Sequence, residues 1–214
     1  PGASASVATD ATARLAREGW DLYSAGKVEA ARDRLAEASA AGGGIWVDYA
    51  LGLSEFALNH FDAAVAAWER VRAKKPDFEP VYFDLADAYR RLDRSDDVLA
   101  ILRETARRWP ADPDAHNAVG VVLLRRGAID DAIDAFNKAA SAAPSDSIAY
   151  FNLGRAYQFR YQRMLSTVGQ KGEAGRSVAD RDRQSALENY KKHVALGGPL
   201  ADQAREAISV LNWR

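Results

Sequence analysis

This chain of 214 residues contains no cysteine and only three histidines, His60, His116 and His193. Without cysteine there is no disulfide scaffold, zinc–thiolate site, iron–sulfur cluster or thiol nucleophile. Either redox compartment suits such a chain. Three histidines leave little material for metal or acid–base chemistry. An excess of one charge is also missing: 29 Lys and Arg face 30 Asp and Glu, a net charge of −1, which excludes a strongly basic nucleic-acid binder. No run approaches the ~18–20 consecutive apolar residues that a membrane-spanning helix needs. What is present is ordinary for a folded protein, with 48% hydrophobic and 28% charged residues, and argues against disorder.

Internal repetition decides the fold. Small residues recur at Gly19, Gly52, Ala86, Gly120 and Gly154, with successive spacings of 33, 34, 34 and 34 residues. A second set of smaller residues follows at Ala31, Ala64, Val98, Ala132 and Ala186, and a large partner comes four residues later at Leu35, Trp68, Leu102, Phe136 and Tyr190. Each repeat ends in a break: Gly42-Gly43-Gly44, Pro76, Pro110, Pro144 and Gly197-Gly198-Pro199.

Every repeat holds two amphipathic stretches. In the fourth, Ala118, Val119, Val122 and Leu123 lie on one face of Ala115–Arg126, and Ala132, Ile133, Phe136 and Ala139 lie on one face of Asp130–Ala142. That period is helical. Gly26 and Gly127 fall between paired stretches, where a left-handed turn suits glycine, and the prolines stand where a helix must stop. A small residue opposite a large one lets two antiparallel helices approach closely.

The pattern resembles the tetratricopeptide repeat family. The third repeat reads Tyr82, Leu85-Ala86, Tyr89, Val98, Leu102, Thr105, Pro110; the fourth reads His116, Val119-Gly120, Leu123, Ala132, Phe136, Ala139, Pro144; the fifth reads Tyr150, Leu153-Gly154, Tyr157, Ala186, Tyr190. The resemblance implies an all-α fold, a right-handed α-solenoid of about five helix–turn–helix repeats over residues 11–198 (11–44, 45–78, 79–112, 113–146 and 147–198). A capping helix is expected over 199–214, on the apolar stripe Ala204, Ala207, Ile208 and Leu211, with Trp213 packed against the array. Residues 1–10 are expected to be a flexible leader or linker. Their Ala-Ser-Ala composition points to a periplasmic or envelope-facing chain ahead of a cytoplasmic one.

Departures from the motif mark places to inspect. The first repeat has Glu18 and Leu15 at motif positions, and the second has Asp48 and Glu55 where bulk is usual. In the fifth, 29 residues separate Tyr157 from Ala186 where the other repeats have nine, which predicts an insertion near 163–183.

No catalytic constellation is found. His116 and His193 take packing positions, His60 lies in a turn, and neither His-x-x-x-His nor Glu-x-x-His occurs, so no metal, cofactor or enzymatic activity is expected. The run from Gly169 to Ser177 is glycine-rich but lacks the spacing and lysine of a phosphate loop. A flexible loop is expected there, with a partner-contacting segment as the alternative. Asp84 and Asp87, followed by Arg90 and Arg91, read as a salt-bridged face.

The resemblance also implies that the first helix of each repeat lines a concave groove. Positions off the packing seam are then the candidate contacts. They are Arg17, Trp20 and Tyr23; Trp46, Tyr49, Leu53 and Phe56; Phe83, Asp84, Asp87, Arg90 and Arg91; Asn117, Val121, Leu124 and Arg125; and Phe151, Asn152, Arg155, Gln158 and Phe159. Aromatic residues outside a seam, rimmed by charge, are the usual sign of a partner site. Asn117 and Asn152 are expected to hold a peptide backbone through their amides, and Asp84, Asp87, Arg90 and Arg155 to set register. A Lys/Asn/Arg clamp for chaperone tails is not met, because Ala16, Trp20, Ala50, Pro80 and Asp84 occupy its positions. The expected function is a non-catalytic adaptor for a protein or peptide partner, not for nucleic acid. The alternatives are the interaction segment of a larger enzyme or envelope assembly, and a self-associating homo-oligomeric scaffold.

Overall fold

In a computed structural model of the chain, the backbone is described for residues 2–166 and 168–213, and side chains for residues 10–166 and 175–213. Eleven α-helices and no strand occur among these residues. The chain divides into two compact units, Pro1–Ile101 and Leu102–Arg214. The N-terminal unit holds α1 (Gly2–Ser24), α2 (Val28–Ala40), α3 (Ile45–Ala57), α4 (Phe61–Lys74), α5 (Pro80–Arg91) and the start of α6 (Ser95–Arg108). The C-terminal unit holds the rest of α6, then α7 (Pro113–Arg125), α8 (Ile129–Ala142), α9 (Ser147–Leu165), α10 (Val168–Ala195) and α11 (Ala201–Asn212). From α1 to α5, and from α7 to α11, each helix packs on the next.

The small-to-large pairs in the sequence are the contacts that join each helix hairpin. A methyl group placed on Gly19 would lie 2.6 Å from Leu35 Cγ, and one on Gly154 would lie 2.7 Å from Tyr190 Cδ1. Gly52 and Gly120 leave the same room for the rings of Trp68 and Phe136. All four large side chains are buried, each burial stabilising the fold by about 1.5–3 kcal/mol.

Two further devices repeat with the motif. The turn inside the first four hairpins is made by a residue at positive φ: Gly26 (76°), Asn59 (63°), Asp93 (56°) and Gly127 (76°). Asn and Asp are the non-glycine residues that enter this region most readily. The first helix of a repeat is also tied back to the preceding proline. Tyr82 Oη donates to the Pro76 carbonyl at 2.8 Å and Tyr150 Oη to that of Pro144 at 3.1 Å, while His116 Nε2 lies 2.9 Å from the Pro110 carbonyl. Asp112 and Asp146 cap α7 and α9 by accepting from main-chain N–H groups, as helix N-termini require.

Three segments differ from expectation. The insertion of the fifth repeat is helical rather than a loop: α9 and α10 run for 19 and 28 residues, against 12–14 in α2–α8. Arg160 holds the extension together, bonding buried Asp182 at 2.7 and 2.9 Å and Asp130 on α8 at 2.5 Å. Tyr161 and Ala179 join the core beside it. The glycine-rich run from Gly169 lies within the α10 backbone, and its side chains through Ala174 are outside the described residues. Residues from Gly2 onward belong to α1 rather than to an unstructured leader, in keeping with the high helix propensity of alanine; Pro1 and the side chains through Thr9 are outside the described residues. On α11 the expected stripe packs inward, but Trp213 is 89% exposed.

Candidate functional site

In the N-terminal unit, helical spacing gathers aromatic residues around one hollow. Ala16 and Trp20 share a face of α1, and Trp46, Tyr49 and Ala50 share a face of α3. With Leu35 and Val47 they enclose an apolar pocket of about 380 Å³. Its two tryptophans stand half in water, Trp20 at 49% and Trp46 at 57% exposure. Tyr23 stacks on Trp20 at 5.8 Å between ring centroids. Phe78, in the link between α4 and α5, backs the other wall and meets Trp46 and Tyr49 edge-on at 5.1 and 5.0 Å. Lys75 Nζ lies 5.4 Å from the Trp46 ring centroid. The wall is pinned from behind, because Trp68 Nε1 donates to the Tyr49 carbonyl at 3.2 Å.

The polar groups of this unit are unevenly matched. Tyr49 Oη donates to Asp84 Oδ2 at 2.8 Å. Burial and the adjoining Asp84 carboxylate push the Tyr49 phenol well above its ordinary range. Burial also raises the Asp84 carboxyl, against the Tyr49 hydrogen bond, and the nearby charge of Asp87 adds to the rise. Asp87 itself is paired with Arg90 at 2.8 Å on the exposed face of α5. Asp48, by contrast, is buried among donors: Ser39 Oγ at 2.6 Å, Arg70 Nε at 3.0 Å and Lys74 Nζ at 3.1 Å. Burial raises its carboxyl, but these bonds and the Arg70 charge outweigh that and leave it below the ordinary carboxylate range. The two acids by which the second repeat departs from the motif are thus accounted for, since Glu55 bonds His60 Nδ1 at 2.8 Å.

In the C-terminal unit, Phe151, Arg155, Gln158 and Phe159 of α9 meet Tyr190 of α10 and Gln203 of α11 around a more polar hollow of about 370 Å³. Phe151 is its buried floor, 5.7 Å from the Tyr190 ring and 5.2 Å from the His193 ring. Tyr190 Oη donates to Gln158 Oε1 at 2.7 Å, and burial pushes this phenol up, the Arg155 charge opposing. His193, with Nδ1 at 2.7 Å from the Ser147 carbonyl, is wholly buried and packs as expected.

The structure therefore brings Trp20, Tyr23, Trp46, Tyr49 and Asp84 together, and separately Phe151, Arg155, Gln158 and Phe159. Other candidates lie elsewhere. Phe56 turns into its own hairpin, 5.3 Å from Phe61 and 5.7 Å from Trp68, under the Arg91 guanidinium. Phe83 and Leu124 are half-buried and line neither hollow. Asn117 and Asn152, expected to offer amides to a peptide, are buried and bond each other at 3.4 Å between α7 and α9. Phe78, Lys75, Gln162 and Gln203 take part without having been singled out in the sequence. Among the described residues, no group of three or more His, Asp or Glu is placed to hold a metal, and no helix is long and apolar enough to cross a membrane.

Residues 49–97 and 83–147 match the tetratricopeptide repeat family model. No curated protein sequence matches the chain. Among solved structures it is similar to MamA from Desulfovibrio magneticus RS-1, at 19% identity over 87% of this chain and 95% of that chain, with a TM-score of 0.64. It is also similar to YrrB, described as a TPR protein with an unusual peptide-binding site, at 17% identity over 90% of each chain and a TM-score of 0.65. A MamA structure from AMB-1 is 22% identical over 87% of this chain and 98% of that chain, with a TM-score of 0.60. Residues 49–147 are thus tetratricopeptide repeats, and over 90% of its length the chain has the fold of a solved TPR protein.

Proposed function

We propose that the chain is a non-catalytic protein–protein interaction scaffold that seats a peptide or partner helix on the aromatic wall of its N-terminal unit. The observation that carries this reading is the pair Trp20 and Trp46, both about half exposed on either side of one apolar pocket. Indoles left in water at a hollow forgo burial energy that an incoming side chain restores. Each such contact contributes about 1.5–3 kcal/mol, so two or three support micromolar binding after ordering costs of several kcal/mol. The hollow of Phe151, Arg155 and Gln158 is a second contact surface of the same scaffold, more polar in its lining. Similarity in fold to a protein described as having a peptide-binding site supports the class of function.

The test is the double variant Trp20→Ala with Trp46→Ala. Both side chains stand at the surface, so the helical fold is kept by circular dichroism while native partners are lost from pull-downs. Undiminished capture by the folded double variant overturns the assignment.

A further inference from the structure

Beside the apolar pocket of the N-terminal unit, beyond its lining residue Tyr49, stands one polar group that the aromatic packing does not explain. Asp84 stands at the end of the Tyr49 ring, held by a single hydrogen bond from the Tyr49 hydroxyl at 2.8 Å. Its neighbour Asp87 has Arg90 as a counterion at 2.8 Å, but among the described residues no basic side chain pairs with Asp84. A half-buried carboxylate without a cation is a costly arrangement, and the raised carboxyl of Asp84 is its expression.

We propose that this pocket receives an arginine side chain of the partner polypeptide, or less favourably a lysine, with its methylenes between Trp20 and Trp46 and its charged head at Asp84. The inference rests on the peptide-binding reading above and names the chemistry of the occupant. A purely apolar occupant would bury Asp84 further without a counterion. An acidic one would bring a third negative charge to Asp84 and Asp87. A long cationic side chain satisfies both halves of the site, because an alkyl stem fills apolar space while a charged head stays polar. Indole faces attract cations, and this wall already does so, since Lys75 Nζ lies 5.4 Å from the Trp46 centroid. Arginine is favoured over lysine because a planar guanidinium both stacks on aromatic rings and meets a carboxylate with two parallel donors.

The experiment is a selection of phage-displayed random dodecapeptides on the full chain, repeated on Asp84→Asn and on the Trp20→Ala/Trp46→Ala variant. Selected peptides are then measured by fluorescence anisotropy beside versions in which the basic residue is replaced by norleucine. The expected result is a recurrent Arg or Lys in peptides that need the two tryptophans. Its replacement by norleucine weakens binding to the unaltered chain by about tenfold or more, as loss of a charge-assisted hydrogen bond does, and weakens binding to Asp84→Asn by less than about twofold. Selected peptides without a basic residue, or an equal norleucine effect on both proteins, overturn the cationic occupant. The peptide-binding reading then stands, provided that binding still needs Trp20 and Trp46. Peptides that bind the double-tryptophan variant as well as the unaltered chain, or no enrichment over that variant, overturn both.

Discussion

The indole of Trp68 donates its N–H to the main-chain carbonyl of Tyr49 at 3.2 Å. One residue thus belongs to two structures at once. Its ring fills the space that Gly52 leaves open between α3 and α4, and its nitrogen fixes the helix turn that carries the pocket wall. Packing inside the hairpin and the shape of the candidate site are therefore coupled, and a change at Gly52 should be felt in both.

Gly52→Ala is expected to destabilise the chain by about 1–3 kcal/mol, the usual cost of overpacking, because its methyl meets a ring that a hydrogen bond prevents from yielding. Denaturant titration measures the loss, and peptide affinity should fall with it. Gly120→Ala drives a methyl against Phe136 in the C-terminal unit and should destabilise comparably. It should leave the indole N–H resonances of Trp20 and Trp46 in place.

Asp48 supplies a pH dependence of known sign. Its folded carboxyl lies below the ordinary range, with Ser39, Lys74 and Arg70 outweighing burial. Its stabilisation is present above the unfolded value near 4 and is lost as pH falls through the folded value. Asp48→Asn should cost about 1.5–3 kcal/mol at neutral pH, the range for hydrogen bonds to charged groups. The gap should narrow on acidification below about pH 4, as followed by urea midpoints across a pH series.

Asp84 acts in the opposite sense. Burial lifts its folded carboxyl above the ordinary value, so its favourable contribution belongs to low pH and is lost as pH rises through the folded value. Asp84→Asn, which keeps an acceptor for Tyr49, should therefore raise the melting temperature at neutral pH. The advantage should shrink as the solution is made acidic. A lower melting temperature at neutral pH would contradict the unpaired carboxylate.

Arg160 ties three helices, and its removal should be costly out of proportion to its exposure. Arg160→Ala leaves Asp182 buried without a counterion, a loss on the order of 3 kcal/mol. Hydrogen exchange should quicken in the extended parts of α9 and α10 first.

Much of this architecture was written at fixed spacing. Gly19, Gly52, Gly120 and Gly154 each met the large residue sixteen or more positions later that the pattern assigned to it, because a helix cannot approach its partner closely except where one side lacks bulk. What stayed hidden lacked that kind of constraint. Asn59 and Asp93 carry the turns of their hairpins, but their tolerance of positive φ is a preference that the sequence does not announce. Phe78 sits in a link with no helical period and still backs the pocket. Asn117 and Asn152 lie off the seam within a hairpin, yet α7 has a second buried face toward α9, and that face takes them. The glycines from Gly169 suggested a loop; the helix there runs on into a stretch that Arg160 and Tyr161 hold from the neighbouring helix.

The near-complete exposure of Trp213 has a practical side. Of the five tryptophans, Trp68 is enclosed, Trp109 is partly buried, Trp20 and Trp46 are half wet and Trp213 is almost wholly in solvent, so the protein's own fluorescence mixes emitters of different colour. Exchanging that terminal indole for phenylalanine removes the reddest, most easily quenched emitter. The remaining spectrum then becomes a built-in gauge of occupancy, shifting to shorter wavelength and resisting acrylamide when a ligand settles between the two half-wet rings.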